Sequence, residues 1–244
     1  MRAGIVTAGM LPALWGVATV SVAGQAPATE TADQLYRHRE DLSSARRAAD
    51  LWAAGAATGF EPAWKLSRAS YWLGTQAPAS ERRARLERGV RAGETAVRLA
   101  PDRPEGHFWL AANMGELAES GAMQGLKYRG RIRDELERVR AIQPGWQGGS
   151  AEAALGQWYF EVPRMLGGSH TKAEELLRRA LTYDPENRAA LSFLAEVLAS
   201  DGRRADARAL LRRVIDAPDD PEWMPENDDF KKKAMARLRT LGGE

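Results

Sequence analysis

Apolar positions recur at three- and four-residue spacing along nearly the whole chain, and no stretch alternates long enough to predict a strand. Leu110, Ala111, Met114, Leu117 and Ala118 form one stripe within 105–120, followed over 128–142 by Ile132, Leu136 and Val139. Ala151, Ala154, Leu155, Trp158 and Tyr159 form the next. After a break at Pro163 and Gly167-Gly168 it is answered by Ala173, Leu176, Leu177, Ala180 and Leu181. A final pair runs through Leu191, Leu194, Ala195 and Leu198, turns at Gly202 and returns through Ala207, Leu211 and Val214. Nearer the start, 35–42 and 45–57 read as helical, and a hairpin opens at Phe60-Glu61-Pro62 and returns from Ser80 to Leu99. In that return helix Gly89 and Gly93 lie four apart. Each costs about 1 kcal/mol against Ala, so their place is explained by a neighbouring helix that must come close. Thr171 with Glu174 predicts a capping box, and Asp184-Pro185 predicts an N-cap followed by the first helical residue.

Three of these patterns end alike, in Arg98-Leu99-Ala100-Pro101, Ala141-Ile142-Gln143-Pro144 and Thr182-Tyr183-Asp184-Pro185, so that the prolines are spaced by 43 and 41 residues. Self-similarity at such a period marks stacked helical hairpins, each burying its stripe against its neighbours. The predicted fold is all-α: one helical-hairpin solenoid over 30–244, with about four degenerate, lengthened repeats. A helix carrying Phe230, Met235 and Leu238 caps its end.

Charge narrows the partner. Thirty-five basic residues against 33 acidic ones leave no overall field of the kind that nucleic acid requires. Cysteine is absent, which removes thiolate metal sites, cysteine catalysis and disulfides. Arg2, the uncharged run that follows and the small residues Ala23, Gly24 and Ala26 predict a secretory signal over 1–26. The alternative is retention of that segment as an anchor. The expected location is then periplasmic or otherwise extracytoplasmic, without the cysteine of a lipoprotein.

The hairpins are similar to tetratricopeptide repeats, although their period exceeds the usual 34 or so residues. Within that class, Pro104-Glu105-Gly106-His107-Phe108-Trp109-Leu110-Ala111, Gly156-Gln157-Trp158-Tyr159-Phe160, and Pro163 with Gly167-Gly168 resemble the T-component proteins associated with TRAP transporters. That resemblance implies a helical body with a lipophilic groove, a periplasmic solute-binding protein as partner, and self-association.

Candidate contacts follow from first helices that line a concave wall. Trp109 and Asn113 lie off the Leu110/Ala111/Met114 stripe, and Phe193 holds the place matching Trp109; such positions suit a protein partner or a small apolar ligand. The turn with Pro163, Gly167 and Gly168 permits close backbone approach, and Tyr128 and Arg131 are placed to reach an anionic group. The expected function is a non-enzymatic binding scaffold without cofactor or metal. His38, His107 and His170 lack zinc spacing, and the aspartates of 216–229 lack the order of a calcium loop. The alternative, an enzyme or accessory protein acting on a cell-wall polymer, would need a facing carboxylate pair such as Glu116 and Glu196.

Overall fold

A computed structural model of the chain describes residues 31–242, so the predicted signal at 1–26 lies outside the described residues. They form one compact unit of α-helices and short turns, and no strand occurs among them. An N-terminal pair, α1 (Ala32–Arg37) and α2 (Leu42–Ala53), precedes four hairpins. These are α3 (Phe60–Gln76) with α4 (Ala79–Leu99), α5 (Pro104–Ala118) with α6 (Ala122–Ile142), α7 (Trp146–Glu161) with α8 (His170–Tyr183), and α9 (Arg188–Ser200) with α10 (Arg204–Asp216). A last helix, α11 (Met224–Thr240), follows a short 3-10 turn.

The repeated prolines end the second helices. Ala100, Gln143 and Asp184 are the C-caps of α4, α6 and α8, and each leaves the helical region, with φ of −148°, −145° and −140°. A following proline forbids the helical region to the residue before it, so the same step stops all three helices. Ala217-Pro218 ends α10 in the same way, 33 residues after Pro185. The Pro101–Pro144 repeat is long because α6 has 21 residues, whereas the Pro144–Pro185 repeat, whose α8 has 14, is long through the connection between Glu161 and His170.

Two expected caps are corrected. Ser169, not Thr171, caps α8 by accepting from the Lys172 N–H. Asp184 closes α8 and Asn187 opens α9, so Asp184-Pro185 is a turn between helices rather than a helix start. The close approach at Gly89 and Gly93 is present as expected. A Cβ on Gly93 would lie 2.9 Å from the Leu110 Cα, and one on Gly89 would overlap the Asn113 amide. α5 therefore rides directly on the backbone of α4.

The junction before α7 is the least regular part of the array. Gln147, Gly148 and Gly149 are successive left-handed residues. The turn presents the Gly148 carbonyl to Asn187 Nδ2 at 2.9 Å and lays Gly149 against Ala180, where a Cβ would come within 2.8 Å of backbone. Glycine is needed at 149 for both reasons; Gln147, exposed at φ 45°, tolerates the same region at a cost of about 1 kcal/mol.

Candidate functional site

Trp109 is not on an open wall. It is 6% exposed, with Tyr71 of α3 and Phe108 beside it at ring-centre distances of 5.7 and 5.2 Å, and Phe108 continues to Trp146 at 4.9 Å. These rings fill the space between consecutive first helices. The Trp109 Nε1 has no hydrogen-bond partner, so its contribution is packing.

Asn113 is fully buried. Its Nδ2 donates to the Ser67 carbonyl at 3.0 Å and to the Trp109 carbonyl at 2.7 Å, while Ser67 Oγ donates to the Gly89 carbonyl at 2.9 Å. The group ties α3, α4 and α5 together at the point of closest approach. Tyr128 is likewise buried, packed with Ile132 and Trp158. The expectation that Trp109, Asn113 and Tyr128 face a partner is corrected for one reason: a helix inside a stacked array is covered on two sides, so leaving the main stripe does not mean reaching solvent.

The remaining candidates are more open. Phe193 is half-buried against the α9/α10 core. Arg131 is exposed, pairs with Glu94 of α4 at 3.0 Å, and borders a shallow recess of about 270 Å³ with Glu87, Val90, Arg91, Lys127 and Tyr128. The turn after α7 folds on itself: Ser169 N–H donates to the Tyr159 carbonyl and Gly168 N–H to the Pro163 carbonyl. A Cβ on Gly168 would collide with the Val162 carbonyl, so this glycine is explained inside the turn. Pro163 and Gly167 are exposed beside it, and between them Met165 is 90% exposed. Met165 shows no sequence signal, since a lone methionine in a turn has no periodicity.

Glu116 and Glu196 are each held by a cation. Arg82 holds Glu116 in an ion pair, and Arg237 holds Glu196 at 3.0 Å. His107 is buried with one ring nitrogen on Glu135 at 2.5 Å and the other on the Pro101 carbonyl at 3.0 Å, an interhelix tie between α5 and α6. Among the described residues no helix is long and apolar enough to cross a membrane, and no cluster of three metal-ligating side chains occurs.

Charge is sorted by helix. The second helices α4, α6, α8 and α10 carry nineteen Lys and Arg against ten Asp and Glu, net +9; the first helices α3, α5, α7 and α9 carry three against six, net −3. Near-neutrality of the whole chain conceals this. On α10, Arg204, Arg208 and Arg212 follow at four-residue intervals on one helical face, and none forms an ion pair among the described residues. Exposed Arg91 and Arg98 of α4 are likewise unpaired.

On the first-helix side the carboxylates crowd. Burial and then Glu116 and Glu161 raise the Glu119 carboxyl above its ordinary value, against the lowering effect of Arg82 and Lys233. Burial is also the chief cause of the raised Glu161. Tyr71 is pushed up by burial first and then by Glu116, Glu119 and Glu226, so these carboxylates of α5 and α11 face one place on α3.

The comparisons with known proteins agree with this architecture. The family model for Regulator of microtubule dynamics protein 1-3 matches residues 28–166, and a tetratricopeptide repeat model matches residues 165–223, where the period shortens to 33. No curated protein matches the chain. Among solved structures, it is similar to TTC0263, a thermophilic TPR protein of Thermus thermophilus, at 20% identity over 84% of this chain and 96% of that one, with a TM-score of 0.64. MamA is similar at 17% identity over 82% of this chain and 96% of that one, with a TM-score of 0.49.

Proposed function

Because the chain belongs to the Regulator of microtubule dynamics protein 1-3 family, we propose that it is a non-enzymatic helical-repeat scaffold whose second-helix row docks on an acidic protein surface, a microtubule wall being the surface the family description suggests. The sorting of charge carries this reading. A net +9 confined to four parallel second helices makes a cationic strip, although the chain totals only +2. Such a strip steers an anionic partner and sets its register more than it adds affinity. Unpaired Arg204, Arg208 and Arg212 are available to carboxylates without first breaking an internal pair.

Cosedimentation with polymerised tubulin at low and physiological salt tests the proposal. Binding is expected to weaken steeply with salt, and Arg208→Glu with Arg212→Glu, both away from the buried core, should remove most of it while leaving the fold intact. Binding that is absent at low salt, or indifferent to both salt and these substitutions, would refute the reading.

A second reading keeps the extracytoplasmic scaffold for a TRAP-type solute-binding protein, with self-association and a small apolar ligand. The leader pattern at 1–26 and the open turn with Met165 favour it. Mass spectrometry of protein isolated from its own cells decides its first step, since an intact Met1 would end it.

A further inference from the structure

α11 packs on the last hairpin, against α10 and α9, and its polar side chains reach earlier elements of the array. At its N-terminal end, Arg39, placed between α1 and α2, donates from Nε to Glu226 Oε1 at 2.9 Å, from Nη2 to the other Glu226 oxygen, and from Nη2 to the Glu222 carbonyl at 2.7 Å. The Arg39 guanidinium is buried between the rings of Tyr36, Trp72 and Trp223. Further along, Lys233 acts on Glu119 at the end of α5, and Arg237 pairs with Glu196 of α9 at 3.0 Å. From Glu226 to Arg237 is eleven residues, about three turns and roughly 16 Å. α11 thus reaches from the N-terminal pair to the last hairpin.

Its packing is thin for its length. Of its 17 residues only Asn227 and Ala234 are buried, whereas the 13 residues of α9 include seven buried ones. A recess of about 270 Å³ remains between it and α3, lined by Trp72, Gln76, Pro225, Asp228 and Lys232 among others. The helix is held by Phe230, Ala234 and Leu238 against the α9/α10 core, and by the pairs Arg39–Glu226, Lys231–Asp219 and Arg237–Glu196. A helix with few buried contacts sits at the low end of local stability. Of the carboxylates on this side, Glu119 feels Lys233 of α11 yet stays raised, through burial first and then Glu116 and Glu161.

We propose that α11 is a built-in, displaceable ligand of the first-helix face, and that the partner of this face is a helix of the same charge order: an acidic side chain in its first turn for Arg39, then basic side chains two and three turns later for Glu119 and Glu196. A partner with more positive charge than α11 in those later turns gains what α11 leaves unsatisfied. The proposal concerns the opposite side of the array from the cationic strip and stands whether or not that strip binds a polymer.

The test uses the full chain and a fluorescent synthetic peptide of residues 221–241. Glu226→Gln in the protein loosens the internal copy. The peptide is then expected to bind this variant at least tenfold more tightly than the unmodified protein, and a peptide bearing Glu226→Gln should bind at least tenfold more weakly than the native one. Hydrogen exchange of 226–240 should accelerate in the variant while exchange in α3 stays unchanged. If Glu226→Gln does not fold, Arg237→Gln, which breaks a more exposed pair, carries the same comparison. No peptide binding, binding indifferent to the peptide's glutamate, or α11 amides that exchange only with the whole protein would overturn the proposal. So would a dimer in light scattering, because α11 would then be exchanged between copies.

Discussion

Replacing Trp109 with Ala separates a packing role from a contact role. The side chain is 6% exposed, touches Tyr71 and Phe108, and makes no hydrogen bond, so its removal deletes apolar burial and leaves no polar atom orphaned. An aromatic of this kind buries about 150–250 Å², which at about 25 cal/mol per Å² is about 4–6 kcal/mol as an upper bound. Measured losses for emptying such sites are about 3–5 kcal/mol. For a unit of this size, each kcal/mol moves Tm by about 2–4 °C, so a drop of roughly 6–20 °C is expected in thermal denaturation followed by circular dichroism. Trp109→Phe should recover at least half of it. A fall below about 2 °C for the Ala variant would refute the packing role and return Trp109 to the surface.

Two further outcomes follow from the same geometry. Gly93→Ala should destabilise by about 1–3 kcal/mol, because its Cβ meets the Leu110 backbone. Gly130→Ala in α6, which meets nothing, should stabilise by about 0.5–1 kcal/mol; urea titration of both variants compares them, and equal effects would contradict the close approach of α5 to α4. Asp41 caps α2 by accepting from Ser43 and Ser44, which lowers its carboxyl to about 2. A folded value below the unfolded one means stability present above the ordinary value of 3.8 and lost as pH falls towards about 2. Amide signals of α2 should therefore lose protection in that window, and Asp41→Asn should flatten the dependence.

The hairpins were legible because their signals are local. Pro101, Pro144 and Pro185 restrict the residue before them whatever the tertiary structure, and Gly89 with Gly93 implies a close neighbour by its cost alone. The lateral placement of side chains was not legible in the same way. Trp109, Asn113 and Tyr128 depart from the main apolar stripe, and the period-3.6 argument assumes one buried face, whereas α5 is covered by both α3 and α4. The sorting of charge was hidden by counting the chain as a whole: interleaved Arg and Glu on α4 and α6 look balanced until each helix is totalled. Glu226 gave no sign of Arg39, since a contact between residues 187 apart leaves no periodic trace.

That contact changes how the array comes apart and how it is made. A linear stack frays from each end independently. Here the turn after α1 and the start of α11 share a partly buried ion pair, so opening α1 exposes Arg39 and loosens α11 in the same event, and exchange in α1 and α11 should rise and fall together. Closing 187 residues of free chain would carry an entropic cost on the order of 4–5 kcal/mol from its length-dependent part. The preassembled hairpins meet that cost before the two groups come together. During synthesis, which delivers the N-terminal hairpins first, Arg39 and the carboxylates of α5 and α7 are complete while Glu226 has yet to emerge. The nascent chain therefore passes through a stage in which its first-helix face is open to other helices, and translation of α11 ends that stage.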